Sequence, residues 1–226
     1  MTSLLTVASA GCALGAAGLA VRWMSRRADA LGRPRAFPVW SSLVLLIAAG
    51  ALLYPGVQRH LEEKRLARAA AELVGGHVTV HCQTTAGALV DVGSELGYVP
   101  YDENGIPLKT TTLKRDPCRL LHSYLSGDRN HPSEDVTIAV HVLTHEAMHM
   151  RGETSEASAE CQAVQRDEAT AVLLGATVVQ ARDLAHAYWT SVYPRMPDDY
   201  RSANCAPGGA MDEHLPTAPW LSAQGQ

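Results

Sequence analysis

Ser133-Glu134-Asp135-Val136-Thr137-Ile138-Ala139-Val140-His141-Val142-Leu143-Thr144-His145-Glu146-Ala147-Met148-His149-Met150-Arg151-Gly152 is the most informative stretch of the 226-residue chain. Ser133 followed by Glu134 and Asp135 has the form of a helix cap with an acidic first turn, and Gly152 has the form of a stop. Between them runs an apolar segment, Val136 to Leu143, which predicts a buried helix over 133–151. Its last turns carry His145-Glu146-Ala147-Met148-His149, an H-E-x-x-H. From the chain's own His and Glu frequencies, roughly 2% of shuffled chains would contain such a motif by accident.

Two histidines at i and i+4 lie on one helical face, so their imidazoles can share one metal ion. The intervening Glu146 points aside, where it reaches a water on the metal instead of the metal itself. A zinc ion with three protein ligands brings the pKa of its water to about 7, and a carboxylate can take that proton as the water attacks a carbonyl. The pattern therefore predicts His145 and His149 as metal ligands, Glu146 as catalytic base and Zn2+ as cofactor. A third ligand is required. The nearest glutamates downstream are Glu153, Glu156, Glu160 and Glu168.

With this motif followed by Glu156-Ala157-Ser158-Ala159-Glu160, the chain resembles the zincin metallopeptidases, specifically the Glu-zincin branch, as a small membrane-anchored bacterial member. The resemblance covers about residues 133–170. It implies Glu156 as third metal ligand and Glu160, one turn on, as the acid that orients a metal-bound histidine. Glu160 remains the alternative ligand should Glu156 serve only as a helix-start acid. The seven-residue gap from His149 to Glu156 requires an abrupt reversal at Gly152. His149-Met150-Arg151-Gly152 also fits the H-x-x-G of the metzincins, whose third ligand would fall at Ser155, a poor donor. His141 is read as a packed, hydrogen-bonded helix histidine. Tyr193, Tyr200, Arg201 and His214 are candidates to stabilise an oxyanion, and nothing in the sequence separates them.

The front of the chain is of another kind. Residues 1–57 hold five Arg, one Asp and neither Glu nor Lys, a net of +4; the rest holds 14 Lys+Arg against 22 Asp+Glu, a net of −8, so the whole chain carries −4. No basic stripe for nucleic acid is present. Two charge-free windows predict transmembrane helices over 3–22 and 38–57, each near the roughly 20 residues needed to span a bilayer. The second has Trp40 and Tyr54 near its ends, where such rings favour the interface, and the first is rich in the small residues that let helices approach. The apolar run at the start has no basic residue ahead of it, which disfavours a cleaved signal peptide. Arg22, Arg26, Arg27, Arg33 and Arg35 lie between the windows and place that loop in the cytoplasm.

The remainder, residues 77–226, is then extracytoplasmic, joined to the multi-pass anchor (1–57) by a juxtamembrane helix (58–76) that stops at Gly75-Gly76. Cysteine usage agrees: Cys82, Cys118, Cys161 and Cys205, with no CxxC pair, read as two disulfides of open connectivity. A Cys161–Cys205 bridge would clamp the C-terminal loop to the site. Short β-like runs at 77–82, 88–92 and 109–113, with Asn104-Gly105 as hairpin turn, predict a small antiparallel sheet. Helices follow over 116–125, over 133–151, and from Thr154 or Ser155 through Val178 as one long element; beyond Pro194 the chain wraps the surface.

The sequence thus predicts an α+β protein with two transmembrane helices and a zincin-like domain that hydrolyses peptide bonds of a peptide or protein substrate. A membrane-tethered zinc-binding scaffold without activity and a zinc hydrolase acting on a non-peptide amide are the alternatives.

Overall fold

The computed structural model describes the chain except residues 1, 26–27, 29–31, 34–35, 85–86, 88–92, 94 and 222–226. The expected strand over 88–92 and three of the five loop arginines lie outside the described residues. The chain divides into two compact units, Met1–Leu61 and Glu62–Gln226.

In the first unit, α1 (Thr2–Ser25) packs against the start of α2 (Val39–Val74). Both helices are long and apolar enough to cross a membrane. Small residues set their approach: the Ser9 hydroxyl donates to the Ala49 carbonyl at 2.9 Å, and a methyl at Gly15 would already touch Leu45. Pro55 lies inside α2 without ending it, so the expected second span and juxtamembrane helix form one uninterrupted element. Gly75, at φ +73°, stops it.

In the second unit the far end of α2 buries Leu66, Ala69 and Ala70 in the core. Seven α-helices in all are present among the described residues: α3 (Arg115–Ser126), α4 (Glu134–Arg151), α5 (Glu156–Val164), α6 (Asp167–Leu173) and α7 (Val178–Ala187) follow, with a π-turn at Tyr188–Val192. The central element is α4. Thirteen of its 18 residues are buried, so it is enclosed on nearly every side, which forces its polar residues inward as well.

The sheet corrects the expectation of an antiparallel one. Its order is β1 (Thr79–Cys82), β3 (Thr110–Leu113), β2 (Gly97–Tyr98): β2 runs antiparallel to β3, but β1 runs parallel to it. The reason is connectivity. The Asn104-Gly105 turn folds β2 back onto β3 through Asp102, whose carboxylate accepts the amides of Asn104 and Ile106 at 2.9 and 2.8 Å. β1 reaches β3 only through residues 83–109, enough chain for the crossover that parallel pairing requires.

The long helix expected after Ser155 is three helices. At Gln165 and Arg166 the side chains are taken by the C-terminal loop: the Gln165 amide donates to Met211 O at 3.0 Å, and Arg166 forms a two-pronged pair with Glu213 at 2.8 and 2.6 Å. Farther on, Gly175 turns the chain at φ +97°, and Thr177 with Gln180 opens α7 in a reciprocal capping box.

The cysteines pair Cys82 with Cys118 and Cys161 with Cys205. The first closes a separation of 36 residues and fastens the sheet to α3, a constraint on the unfolded chain worth about 4 kcal/mol. Replacing Cys82 and Cys118 together by Ser is expected to lower the unfolding free energy by that order in a denaturant titration. An unchanged midpoint would show that the bond contributes nothing.

Candidate metal centre

The last two turns of α4 and the first of α5 meet across a four-residue reversal. Ser133 caps α4, its hydroxyl accepting the Val136 amide, and helical spacing sets His145 and His149 side by side with their Nε2 atoms 3.0 Å apart. Gly152, at φ +123°, ends the helix by donating to His149 O and Met148 O. Glu153 then shapes the turn. Its carboxylate accepts the amides of Thr154 and Ser155, both at 3.0 Å, and the side-chain amide of Gln162 at 2.9 Å. Its carbonyl accepts His149 Nδ1–H at 2.8 Å. Thus α5 begins at Glu156 with the carboxylate facing both imidazoles: Oε2 is 3.1 Å from His145 Nε2 and 3.3 Å from His149 Nε2.

Three ligand atoms converge on one point, and their hydrogen bonds show what that point requires. His149 Nδ1 faces a carbonyl, which can only accept, so this nitrogen carries the hydrogen and Nε2 presents a lone pair. His145 Nδ1 faces the Glu160 carboxylate at 3.1 Å, with the same consequence. Two lone pairs and a carboxylate oxygen repel each other unless a cation sits among them. In the ion-free protein a proton must serve, and His145 is accordingly raised: burial works against the charge, but the hydrogen bonds it donates to Glu156 and Glu160 outweigh it and bring the pKa to about 9. The same two imidazoles hold Glu156 well below the ordinary carboxylate range. A tetrahedral zinc with bonds of about 2.0–2.1 Å would set its ligand atoms roughly 3.3 Å apart, close to the observed 3.0, 3.1 and 3.3 Å. His145, His149 and Glu156 could therefore hold a metal ion. The histidines are buried while the Glu156 side chain is 40% exposed, which leaves one side open to solvent.

His141, His145 and Glu160 form a second close group, but hydrogen bonding accounts for it in full. Glu160 Oε2 accepts from His141 Nε2 at 2.9 Å and His145 Nδ1 at 3.1 Å, and Oε1 accepts the Tyr188 hydroxyl at 2.6 Å. Burial would raise this carboxylate, yet the two imidazoles hold it well below the usual range. His141 donates its other hydrogen to Asp167 Oδ2 at 2.8 Å. Burial opposes its charge, but Asp167 and Glu160 raise it to about 10. The expected packed, hydrogen-bonded histidine is therefore what His141 is.

Glu146 lies beside the triad, buried, its Oε2 at 3.4 Å from the Thr111 hydroxyl of β3. Burial pushes its pKa up, against the pull of His145 and His149. On its other side is Gly97 of β2, where a methyl group would come within 2.8 Å of Glu146 Oε1. Gly97→Ala is thus expected to displace the Glu146 carboxylate while leaving the histidines in place. Metal content should match wild type while any Glu146-dependent turnover falls; unaltered turnover would mean that the carboxylate's position does not matter.

Of the four oxyanion candidates, Tyr200 approaches the triad, its ring centroid 5.7 Å from that of His145. Burial first, and then the negative charge of Glu156, raise its pKa to about 12, so it remains a hydrogen-bond donor at neutral pH. Tyr193 instead bonds the backbone of Ser202, Arg201 pairs with Asp198, and the exposed His214 pairs with Asp212. The Cys161–Cys205 bridge ties the Tyr200-bearing loop to α5. Sequence reasoning did not single out Gly97, Asp167, Tyr188 or Tyr101, the last being a second tyrosine whose hydroxyl is raised by burial and by the charges of Glu156 and Glu146. No local pattern marks any of them.

No protein-family model, curated protein or solved structure shows a significant match to this chain.

Proposed function

We propose that the chain is a membrane-anchored, zinc-dependent peptidase of the zincin type, with residues 62–226 on the extracytoplasmic side. One observation carries the reading: three electron-pair donors, His145 Nε2, His149 Nε2 and Glu156 Oε2, aim at one point, with the buried carboxylate of Glu146 beside it. A closed structural site would have no use for that carboxylate. When bound, the ion supplies Lewis acidity, which acidifies a water and polarises a carbonyl.

The chain's own residues do the rest. Glu146, its pKa raised by burial, accepts the proton of the attacking water and delivers it to the departing amine. Tyr200 donates a hydrogen bond to the oxygen on which negative charge develops. Glu160 holds His145 by Nδ1. A peptide is the favoured substrate because of the sheet edge. β2 is an edge strand in the order β1–β3–β2, and its Gly97 lies against Glu146. An extended segment paired to that edge would pass Glu146. The arginine loop between the two long apolar helices and the two disulfides support the topology.

The test is metal analysis and turnover of a mixed peptide library by the full chain in detergent. One zinc per chain is expected, with turnover lost to a chelator and restored by zinc. Because His145 in the ion-free protein holds its proton up to a pKa of about 9, the ion must displace that proton at neutral pH. Apparent zinc affinity should therefore rise with pH up to that value, about tenfold per unit for each proton displaced. Zinc binding without turnover of any peptide would favour the scaffold reading; no zinc binding would refute the site.

A further inference from the structure

We propose that Asp167 and His141 are positioning residues: with Tyr188 they clamp the Glu160 carboxylate and thereby set the ring orientation of His145 at the metal site. The inference rests on the metal-site reading above and extends it two residues farther into the core.

The physical problem is the burial of charge. Asp167, His141 and Glu160 are each no more than 2% exposed, and a hydrophobic core gains nothing in stability from two carboxylates and an imidazole that apolar side chains of similar size could replace. Their arrangement is directional. Asp167 Oδ2 lies 2.8 Å from His141 Nδ1, His141 Nε2 lies 2.9 Å from Glu160 Oε2, and that same oxygen lies 3.1 Å from His145 Nδ1. The line runs from α6 through α4 to α5 and back to α4, and it ends on a ring whose other nitrogen faces Glu156 and His149.

Each member removes a freedom from the next. His141 cannot rotate, since both its nitrogens face carboxylate oxygens and its ring lies flat on Tyr188, centroids 3.6 Å apart and planes 11° from parallel. Glu160 cannot rotate, since Oε2 accepts from His141 and Oε1 accepts the Tyr188 hydroxyl at 2.6 Å. His145 can then hydrogen-bond through Nδ1 in one ring orientation only, the one that aims Nε2 into the triad. Asp167 and Tyr188 touch none of the three ligands' metal-facing atoms, so any effect they have on the metal passes through His141 and Glu160.

The experiment compares Asp167→Asn and Tyr188→Phe with wild type, as full chains in detergent loaded with Co2+, reading zinc affinity by chelator competition and the visible absorption bands of the cobalt form. Asp167→Asn is expected to weaken zinc binding several-fold, less than the about 10–100-fold that loss of a ligand's direct hydrogen-bond partner costs, and to shift the cobalt bands. Tyr188→Phe keeps the ring stacked on His141 and removes only the hydroxyl, so it should do the same to a smaller degree, and it carries the test if Asp167→Asn does not fold. Zinc affinity within twofold of wild type and superimposable cobalt spectra in the folded variants would overturn the inference even if melting temperatures fell, because the network would then serve stability alone. A wild type that binds neither zinc nor cobalt would overturn the metal reading and this inference together.

Discussion

Glu146→Gln is expected to keep its full complement of zinc while peptide turnover falls by about 10²–10⁴-fold, the ordinary contribution of a positioned acid–base group. The reason is geometric. The atoms that could hold the ion are those of His145, His149 and Glu156, while Glu146 stands beside them between the Thr111 hydroxyl and Gly97. Gln has the same shape, so it preserves the packing against β2 and β3, yet its amide cannot take a proton at any working pH. Metal analysis and turnover on one preparation decide the matter. Wild-type turnover in Glu146→Gln would remove the base from the mechanism, whereas lost zinc would make Glu146 a ligand.

Glu156→Gln is expected to do the reverse. In the proposed site the two histidines would bind zinc as neutral donors, so Glu156 would supply the one negative charge among the three, and its loss should weaken zinc binding beyond the about 10–100-fold that removal of an outer partner costs. Glu156 is also the first residue of α5. If it served only as an acid at a helix start, its replacement would cost about 0.3–1 kcal/mol of stability and leave the zinc untouched. Chelator competition alongside thermal melting separates the two roles. Full affinity in Glu156→Gln, with affinity lost in Glu160→Gln, would transfer the third position to Glu160.

Much of α4 can be read from local sequence because a helix brings i and i+4 together whatever surrounds it; cap, apolar run, motif and stop all lie within 20 residues, from Ser133 to Gly152. The two long apolar helices are legible for a similar reason, since hydropathy and length are properties of contiguous chain. The break at Gly175 was also locally marked, by the glycine and by the Thr177/Gln180 box, but the apolar period running to Val178 obscured it. The break at Gln165 carried no such mark. Its side chain is engaged by Met211 and Glu213, more than 40 residues away.

Sequence alone therefore determined part of the element order and the chemical inventory: two apolar helices, a capped helix bearing H-E-x-x-H, carboxylates one turn apart downstream, and four cysteines to pair. Tertiary structure alone decided which cysteines pair, that β1 lies parallel to β3, that Glu156 and Glu160 face opposite nitrogens of His145, and that Gly97, Tyr200 and Asp167 stand around them. The division follows from the range of the forces. Helical periodicity, capping and hydropathy act between residues a few positions apart and leave a pattern in the chain. Side chains that meet across α4, α5, α6 and the sheet are selected by close packing and by the need of buried polar atoms for partners, and those constraints exist only once the core has formed.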